Sequence, residues 1–469
     1  MKKFSLLKVL GFTFLGLIIL SFIIPVGSYS SSSFVSGATS PIGLYDIFNI
    51  STYTVANFLQ FGLLFLVIGG FYSVLNKTGA YSNLIERIVK KLKNKKIVFI
   101  LTITIIFSLL TALSGLGYIM FFVMPFVLAI LLSLGFSKIT SFMATIASII
   151  VGYIGNIIGS DITYSMMTFF KLSFNYEIFT KIILFILVTF ILTLFVHKNA
   201  KKDLKDDIHE EIPLYEKNKS KKTYIPLIVI GIFTIILLFV SMYRWDKVLG
   251  INIFNDIYEK IMTFEINGYP LFKNILGSSL KAFGYFTIYD MTIILAISSI
   301  IIAFVYSISA KDFVKAYFEG FKKMLGVAVV AIIANVIFMS MYRSSSVQNI
   351  YFTLINYLAD LTKNISIVGL SLVSGLGSIF YNDFASMVNV VSSPIMGSIT
   401  DTLMYPFVGM VIQTIYNLFM LFVPTSIILM SGLAYYDISY KKWIKSSWKL
   451  LLSLFGIILA VLIILLIFI

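Results

Sequence analysis

Apolar segments long enough to cross a bilayer follow one another along nearly all 469 residues, separated by short polar loops. A backbone embedded in lipid must satisfy its own hydrogen bonds, which restricts such a chain to a bundle of helices. The 59% hydrophobic content and the mean hydropathy of +0.98 exceed the needs of any soluble core. The first run, Val9 to Ile24 behind Lys2-Lys3, is longer than a signal-peptide core, lacks a small-x-small site beside it, and reads as a span.

Full spans are expected at 8–25, 56–76, 139–160, 180–197, 225–243, 288–307, 325–342, 405–426 and 448–469. Two other apolar stretches, 97–134 and 366–398, are interrupted by glycine and polar residues, and each reads as a re-entrant hairpin that enters and leaves on one side. The chain then divides into a first helix with an outer segment (1–55) and a first repeat (56–165, hairpin 97–134, broken helix 139–161). Scaffold helices with a polar linker at 198–224 (together 166–324) lead to a second repeat (325–430, hairpin 366–398, broken helix 405–426). A basic loop and last helix follow (431–469).

Lysine placement orients the bundle. Most of the 36 Lys and Arg residues fall in 2–8, 77–96, 138, 198–222, 311–323 and 441–449, which places these segments and the amino terminus in the cytoplasm. The net charge of +15 is thus an orientation signal and not a nucleic-acid surface. In this scheme 56–76 runs outside to inside and 325–342 inside to outside, so the two repeats are inverted. Amphipathic stretches at Tyr81–Lys96 and Gln348–Lys363 occupy equivalent places on opposite membrane surfaces, and the outer loop from Arg244 to Ala282 is expected to carry interfacial helices near Tyr258 and Phe283.

The repeats share a tetrapeptide, Ser-Gly-Leu-Gly, at Ser114–Gly117 and Ser374–Gly377, and each copy is followed by an asparagine within an apolar span, Asn156 and Asn417. Glycine permits a helix to break, and the freed carbonyls and amides can hold an ion or a polar solute. The substrate candidates are Ser114, Gly115, Gly117, Asn156, Ser378, Asn382 and Asn417. The ion-binding candidates are Gly159, Ser160, Asp161, Asp383, Pro424, Thr425 and Ser426, with Thr111, Gly152, Gly155, Gln413 and Thr414 nearby. Asp383 stands out, because a carboxylate at the centre of a span costs about 2.5–3.5 kcal/mol and is normally retained for an ion, a proton or a cationic group. Glycines spaced like Gly152, Gly155 and Gly159 also suit close helix packing.

There is no cysteine, and His209-Glu210-Glu211 in the polar linker lacks the helical spacing of metal ligands, so no metal or cofactor beyond Na+ as a coupling ion is expected. No nucleophile–base set lies at membrane depth, which argues against an intramembrane enzyme. A passive channel and a non-transporting receptor or scaffold stay open as alternatives. The heavy use of Ile, Phe, Lys and Asn points to an AT-rich bacterial genome and hence to a multi-pass protein of the bacterial plasma membrane.

Several stretches resemble the YfcC family of basic amino acid and C4-dicarboxylate carriers, in the ion transporter superfamily that also holds AbgT and divalent anion symporters. They are Ile24–Tyr29, Pro41–Asp46, Gly69-Gly70-Phe71, Asn76–Tyr81, Phe318-Glu319-Gly320, Pro424-Thr425-Ser426 and Ile438–Lys445. Ala334–Ile337, Phe380–Asp383 and Tyr416–Phe419 depart from that family's pattern. The resemblance implies an all-α elevator-type fold with two hairpins, a homodimer, and a solute held between hairpin tips and unwound helices. The expected function is a secondary transporter of a small charged solute, an amino acid or dicarboxylate, coupled to Na+ or H+ or working by exchange. The acid at Asp383 tilts the expectation toward a basic amino acid.

Overall fold

The computed structural model describes residues 2–30, 33–206, 208, 210–218, 222–342, 349–362, 367–399 and 401–468. His209, Gln348 and Lys363 lie outside the described residues. Helix α1 (Lys2–Ile23) leads into a strand pair, β1 (Pro25–Ser30) and β2 (Ser33–Thr39), and then into the long α2 (Leu44–Thr78) and short α3 (Ala80–Leu92). Helices α4 (Lys96–Ser114) and α5 (Gly117–Ser133) form a hairpin. Next come α6 (Lys138–Phe142), a π-helical turn Met143–Ala147 and α7 (Ser148–Ile154), then a break and α8 (Ser160–Phe169). Two long helices follow, α9 (Ile178–Asp203) and α10 (Ile225–Met242).

A surface region holds α11 (Trp245–Leu249), α12 (Ile253–Met262), the two-residue strands β3 (Glu265–Ile266) and β4 (Tyr269–Pro270), and α13 (Leu271–Leu276). The chain returns through α14 (Ile288–Val305), α15 (Ala310–Ile333), α16 (Val336–Met341) and α17 (Ile350–Thr362). A second hairpin, α18 (Ile367–Phe380) and α19 (Phe384–Ser398), precedes α20 (Tyr405–Phe419), a second break, α21 (Ile427–Tyr436) and the last helix α22 (Tyr440–Phe468).

Among the described residues, eight helices are long and apolar enough to cross a membrane: α1, α2, α4, α9, α10, α14, the α15–α16 pair and α22. The stretches 139–160 and 405–426, expected as broken helices, are short helices that each stop at a break. The first hairpin arm, α4, is by length alone a full span, because nothing interrupts its apolar run before Gly115. The boundaries expected at 55/56 and 324/325 fall inside α2 and α15. Helix α2 starts earlier because the Asp46 carboxylate accepts from the Gly43 N–H at 2.8 Å, and it stops where Gly79 turns left-handed at φ 67°.

The segment between α1 and α2 is not helical throughout. Strand β1 pairs antiparallel with β2, and Gly27 exchanges hydrogen bonds of 3.0 and 3.1 Å with Asn349, while Thr353 donates to the Pro25 carbonyl at 2.7 Å. A lone hairpin is marginal, and here it gains its support from the start of α17. In the surface region, α12 covers the expected interfacial helix at Tyr258, whereas Phe283 sits in irregular chain before α14.

The core of the bundle is α2 against α15. Their backbones approach so closely at Gly69 and Gly320 that a Cβ built on Gly320 would lie 2.1 Å from the Gly69 carbonyl oxygen. Small residues let membrane helices meet backbone to backbone, where dispersion replaces the missing hydrophobic drive.

Candidate functional site

Four interruptions of helix converge on one place. The first hairpin tip forms because Gly115 adopts φ 72° and donates back to the Thr111 carbonyl, ending α4. The first break lies between Ile154 and Ser160, where Gly155, Asn156 and Gly159 replace helix-forming residues. The second tip is Tyr381-Asn382-Asp383, and the second break runs from Met420 to Ser426 around Pro424.

Each break is bound to a hairpin of its own half. The N–H groups of Ile157 and Ile158 both reach the Ala112 carbonyl, at 2.9 and 3.3 Å, and the Thr425 hydroxyl donates to the Ser378 carbonyl at 3.0 Å. Each broken helix also clamps its tip with a tyrosine. The Tyr153 hydroxyl donates to Gly115 O and accepts from Gly117 N, both at 2.9 Å, while Tyr416 donates to Tyr381 O at 2.9 Å. Gln413 joins the halves: its amide donates to the freed carbonyls of Ile154 (3.3 Å) and Asn156 (3.1 Å), and its oxygen accepts from Tyr176 at 3.0 Å.

Replacing Tyr153 with phenylalanine removes both contacts and leaves buried backbone groups unpaired, a cost of about 1–3 kcal/mol. The expected result is an intact fold with faster amide exchange confined to the tip around Gly115–Ile119. Exchange at the wild-type rate there would refute the clamp.

A cavity of about 570 Å³ opens between these elements, with Gly115, Leu116, Asp161, Asn382 and Asp383 among its lining residues, together with Arg244, Tyr118 and Asn335. A smaller one of about 110 Å³ adjoins it and shares Tyr118, Asp161, Asn382 and Asp383, adding Tyr153, Tyr416, Asn417 and Ser426. Asp383 is not inside a span as the sequence suggests. It is exposed at the second tip and caps α19, where its Oδ2 accepts from the Ser386 N–H (2.8 Å) and hydroxyl (2.7 Å). A tip between two short helices lets the carboxylate meet a cavity, which removes the cost of burying it in lipid. Asn382 binds Asn335 Oδ1 at 3.0 Å, fixing the tip to the turn between α15 and α16.

Asp161, in the first turn of α8, faces Arg244, whose Nε lies 3.7 Å from Oδ1. Two residues after Arg244 and outside the spans, Asp246 has its ionised form favoured. Partial burial opposes this, but hydrogen bonds from Tyr285, Asn255 and Lys247 outweigh it and hold the carboxyl below its usual value.

The remaining candidates serve the scaffold of the site. Ser114 donates to Leu110 O and caps Leu116 N, Ser378 donates to Gly375 O, and Ser160 accepts from the Arg244 N–H. Ser426 caps α21. Asn156 is fully buried, its amide donates to Thr163 at 3.4 Å, and its Oδ1 has no hydrogen-bond partner among the described residues. Gly117, Gly159, Pro424 and Thr425 shape the tip and breaks without lining either cavity.

The second Ser-Gly-Leu-Gly copy is not at a bend. It lies inside α18, where Gly375 makes room for the Phe419 ring and Gly377 for the Tyr351 hydroxyl and Met387. Arg244, Tyr153 and Tyr416 were not singled out from the sequence. A signal for Arg244 exists: in a lysine-rich chain arginine occurs only at 87, 244 and 343, and arginine offers a planar fork that lysine lacks.

The family model of DcuC, the C4-dicarboxylate anaerobic carriers, matches residues 5–467. No curated protein matches the chain. Among solved structures, the chain is similar to the YdaH transporter of Alcanivorax borkumensis, at 13% identity and a TM-score of 0.40, covering 98% of this chain and 97% of that one. It is also similar to MtrF of Neisseria gonorrhoeae, described as one of a class of antimetabolite efflux pumps, at 15% identity, a TM-score of 0.36 and coverage of 97% and 94%.

Proposed function

The chain belongs to the family of C4-dicarboxylate anaerobic carriers, and from that premise we propose a secondary active transporter that moves a small dicarboxylate across the bacterial plasma membrane. Coupling is to Na+ or H+, or by exchange with a second solute. The observation that carries this reading is the convergence of two hairpin tips and two helix breaks on one cavity that holds Asp161, Arg244, Asn382 and Asp383 within an apolar bundle, an arrangement that suits alternating access. The YfcC-like segments are read as a subfamily trait within this family.

We assign the halves 56–165 and 325–430 as inverted repeats that move as an elevator against a scaffold, in a homodimer. With the amino terminus cytoplasmic, the larger cavity opens outward, since Met242, Arg244 and Gly284–Ile288 line it at the outer ends of α10 and α14. The solute is held between the tips, near Asn382 and Asn417. The coupling cation is held by Asp161 and Asp383, which share both cavities. The sequence-based lean toward a basic amino acid rested on Asp383 as a lone acid within a span. Its place at a tip, with Arg244 in the same cavity, favours an anionic solute.

Purified protein in liposomes should accumulate labelled succinate above equilibrium when a Na+ gradient, a pH gradient or internal dicarboxylate is supplied. Equilibration without accumulation under all three would replace the carrier with a channel. The chain has no cysteine, so Ser114→Cys and Asn382→Cys can be labelled singly with an impermeant thiol reagent. Labelling at the two sites should respond in opposite directions to coupling ion and solute, and a parallel response would rule out the alternating cavity.

A further inference from the structure

Arg244 is held in an unusual way. Its backbone N–H bonds Ser160 Oγ at 3.2 Å, and the adjoining Tyr243 hydroxyl donates to the Ile158 carbonyl at 2.9 Å, so the residue is pinned to the first break. Its guanidinium stacks over Tyr164, with Cζ 4.7 Å from the ring centre. The ion pair to Asp161 runs through Nε at 3.7 Å, well beyond the about 2.7–2.9 Å of a charge-assisted hydrogen bond. The two side chains keep 38% and 58% of their surface exposed. Stacking on a ring covers the face of a guanidinium and leaves its edge, the part that binds a carboxylate in two parallel hydrogen bonds, open.

Of the described residues that line the larger cavity, Arg244 alone is cationic, facing the two carboxylates Asp161 and Asp383. A dianion entering that lining gains less while Asp161 shares the Nε side of the guanidinium, and it gains the full bidentate partner once Asp161 is displaced. Asp161 and Asp383, close enough to act on each other electrostatically, then lack a counter-charge. A cation supplies one.

We propose that Arg244 anchors one carboxylate of the transported solute, that the solute takes the guanidinium from Asp161, and that the released Asp161 joins Asp383 to hold the coupling cation. The inference rests on the dicarboxylate-carrier reading. It makes solute and cation binding mutually reinforcing, because each removes the obstacle to the other, and the coupling is reciprocal.

The test is succinate binding to the purified full chain by calorimetry, with Na+ replaced by choline and at two pH values, alongside uptake in liposomes. Arg244→Gln should weaken succinate roughly 10- to 100-fold, and Arg244→Lys should recover part of the loss. Asp161→Asn should move the other way: succinate binds several-fold tighter without the cation, and the cation dependence of binding shrinks. An ion pair that only braces the fold or a gate predicts the same defect in Arg244→Gln and Asp161→Asn, so matching defects overturn the proposal. Wild-type affinity in Arg244→Gln does so too. If Arg244→Gln does not fold, the direction of the Asp161→Asn shift decides. Wild-type protein that neither binds nor moves a C4-dicarboxylate overturns the carrier reading and the anchor with it. Transport that survives in the variants unchanged overturns the anchor alone.

Discussion

Gly159→Ala should abolish solute uptake while the protein still folds and purifies as the wild type does. A methyl group at that position would lie 2.1 Å from Asn156 Oδ1, 2.8 Å from the Gly115 nitrogen and 2.9 Å from the Gly115 Cα. Two of these three neighbours are backbone, so no rotamer change relieves the clash. The first break must move away from the first tip. Overpacking of this kind costs about 1–3 kcal/mol, which a bundle of this size survives. The displacement matters more, since a shift of about 1 Å in a binding constellation can cost on the order of a hundredfold in turnover.

Uptake of labelled succinate in liposomes should therefore fall on the order of a hundredfold, with an unfolding temperature within a few degrees of wild type. Gly456→Ala, at a position with nothing within 4 Å, is the matched control and should transport normally. Wild-type uptake by Gly159→Ala would show that contact between tip and break is not part of the transport cycle.

The second large effect lies in the scaffold. Gly320→Val should prevent recovery of folded protein altogether. The new Cβ would meet the Gly69 oxygen at 2.1 Å, the Gly69 carbonyl carbon at 2.4 Å and the Gly70 nitrogen at 2.7 Å, and the reciprocal position, Gly69, is closed by the Gly320 oxygen at 2.4 Å. Both walls are helix backbone, so α2 and α15 must separate along the contact that organises the bundle. The loss is about 3 kcal/mol from overpacking, or more once the neighbouring contacts open. That is a large share of a typical folding free energy. Size-exclusion of detergent-solubilised protein should show aggregate in place of a single species, whereas Gly231→Val, with open space around it, should elute normally. A monodisperse Gly320→Val protein would mean that the two helices are not in this register.

Much of the bundle was legible in the residues because its determinants are local. Continuous apolar runs gave helices close to their expected limits, as at 225–243 against Ile225–Met242 and 288–307 against Ile288–Val305. The tip at Gly115, the break between Gly155 and Gly159, and the break before Ser426 coincide with glycine, proline and a capping hydroxyl, which act within one helical turn. Locality also explains the misreading of the second Ser-Gly-Leu-Gly. Identical tetrapeptides carry identical local propensities, but Ser374–Gly377 continues as helix because Phe419, Tyr351 and Met387 fill the space its glycines leave. The chain turns instead at Asn382, which is tied to Asn335, and at Asp383, whose side chain caps the next helix.

The sequence alone determined that this is a polytopic helical protein, the approximate course of most of its long helices, and three of the four places where they are interrupted, since hydropathy and backbone propensity are properties of neighbours along the chain. The tertiary structure decided what those interruptions are for. Asp161, Arg244 and Asp383 line one cavity, Gln413 of one half satisfies carbonyls freed in the other, and Gly69 touches Gly320. Each pairing joins segments many helices apart, so it depends on how whole elements pack, and no local pattern of residues encodes it.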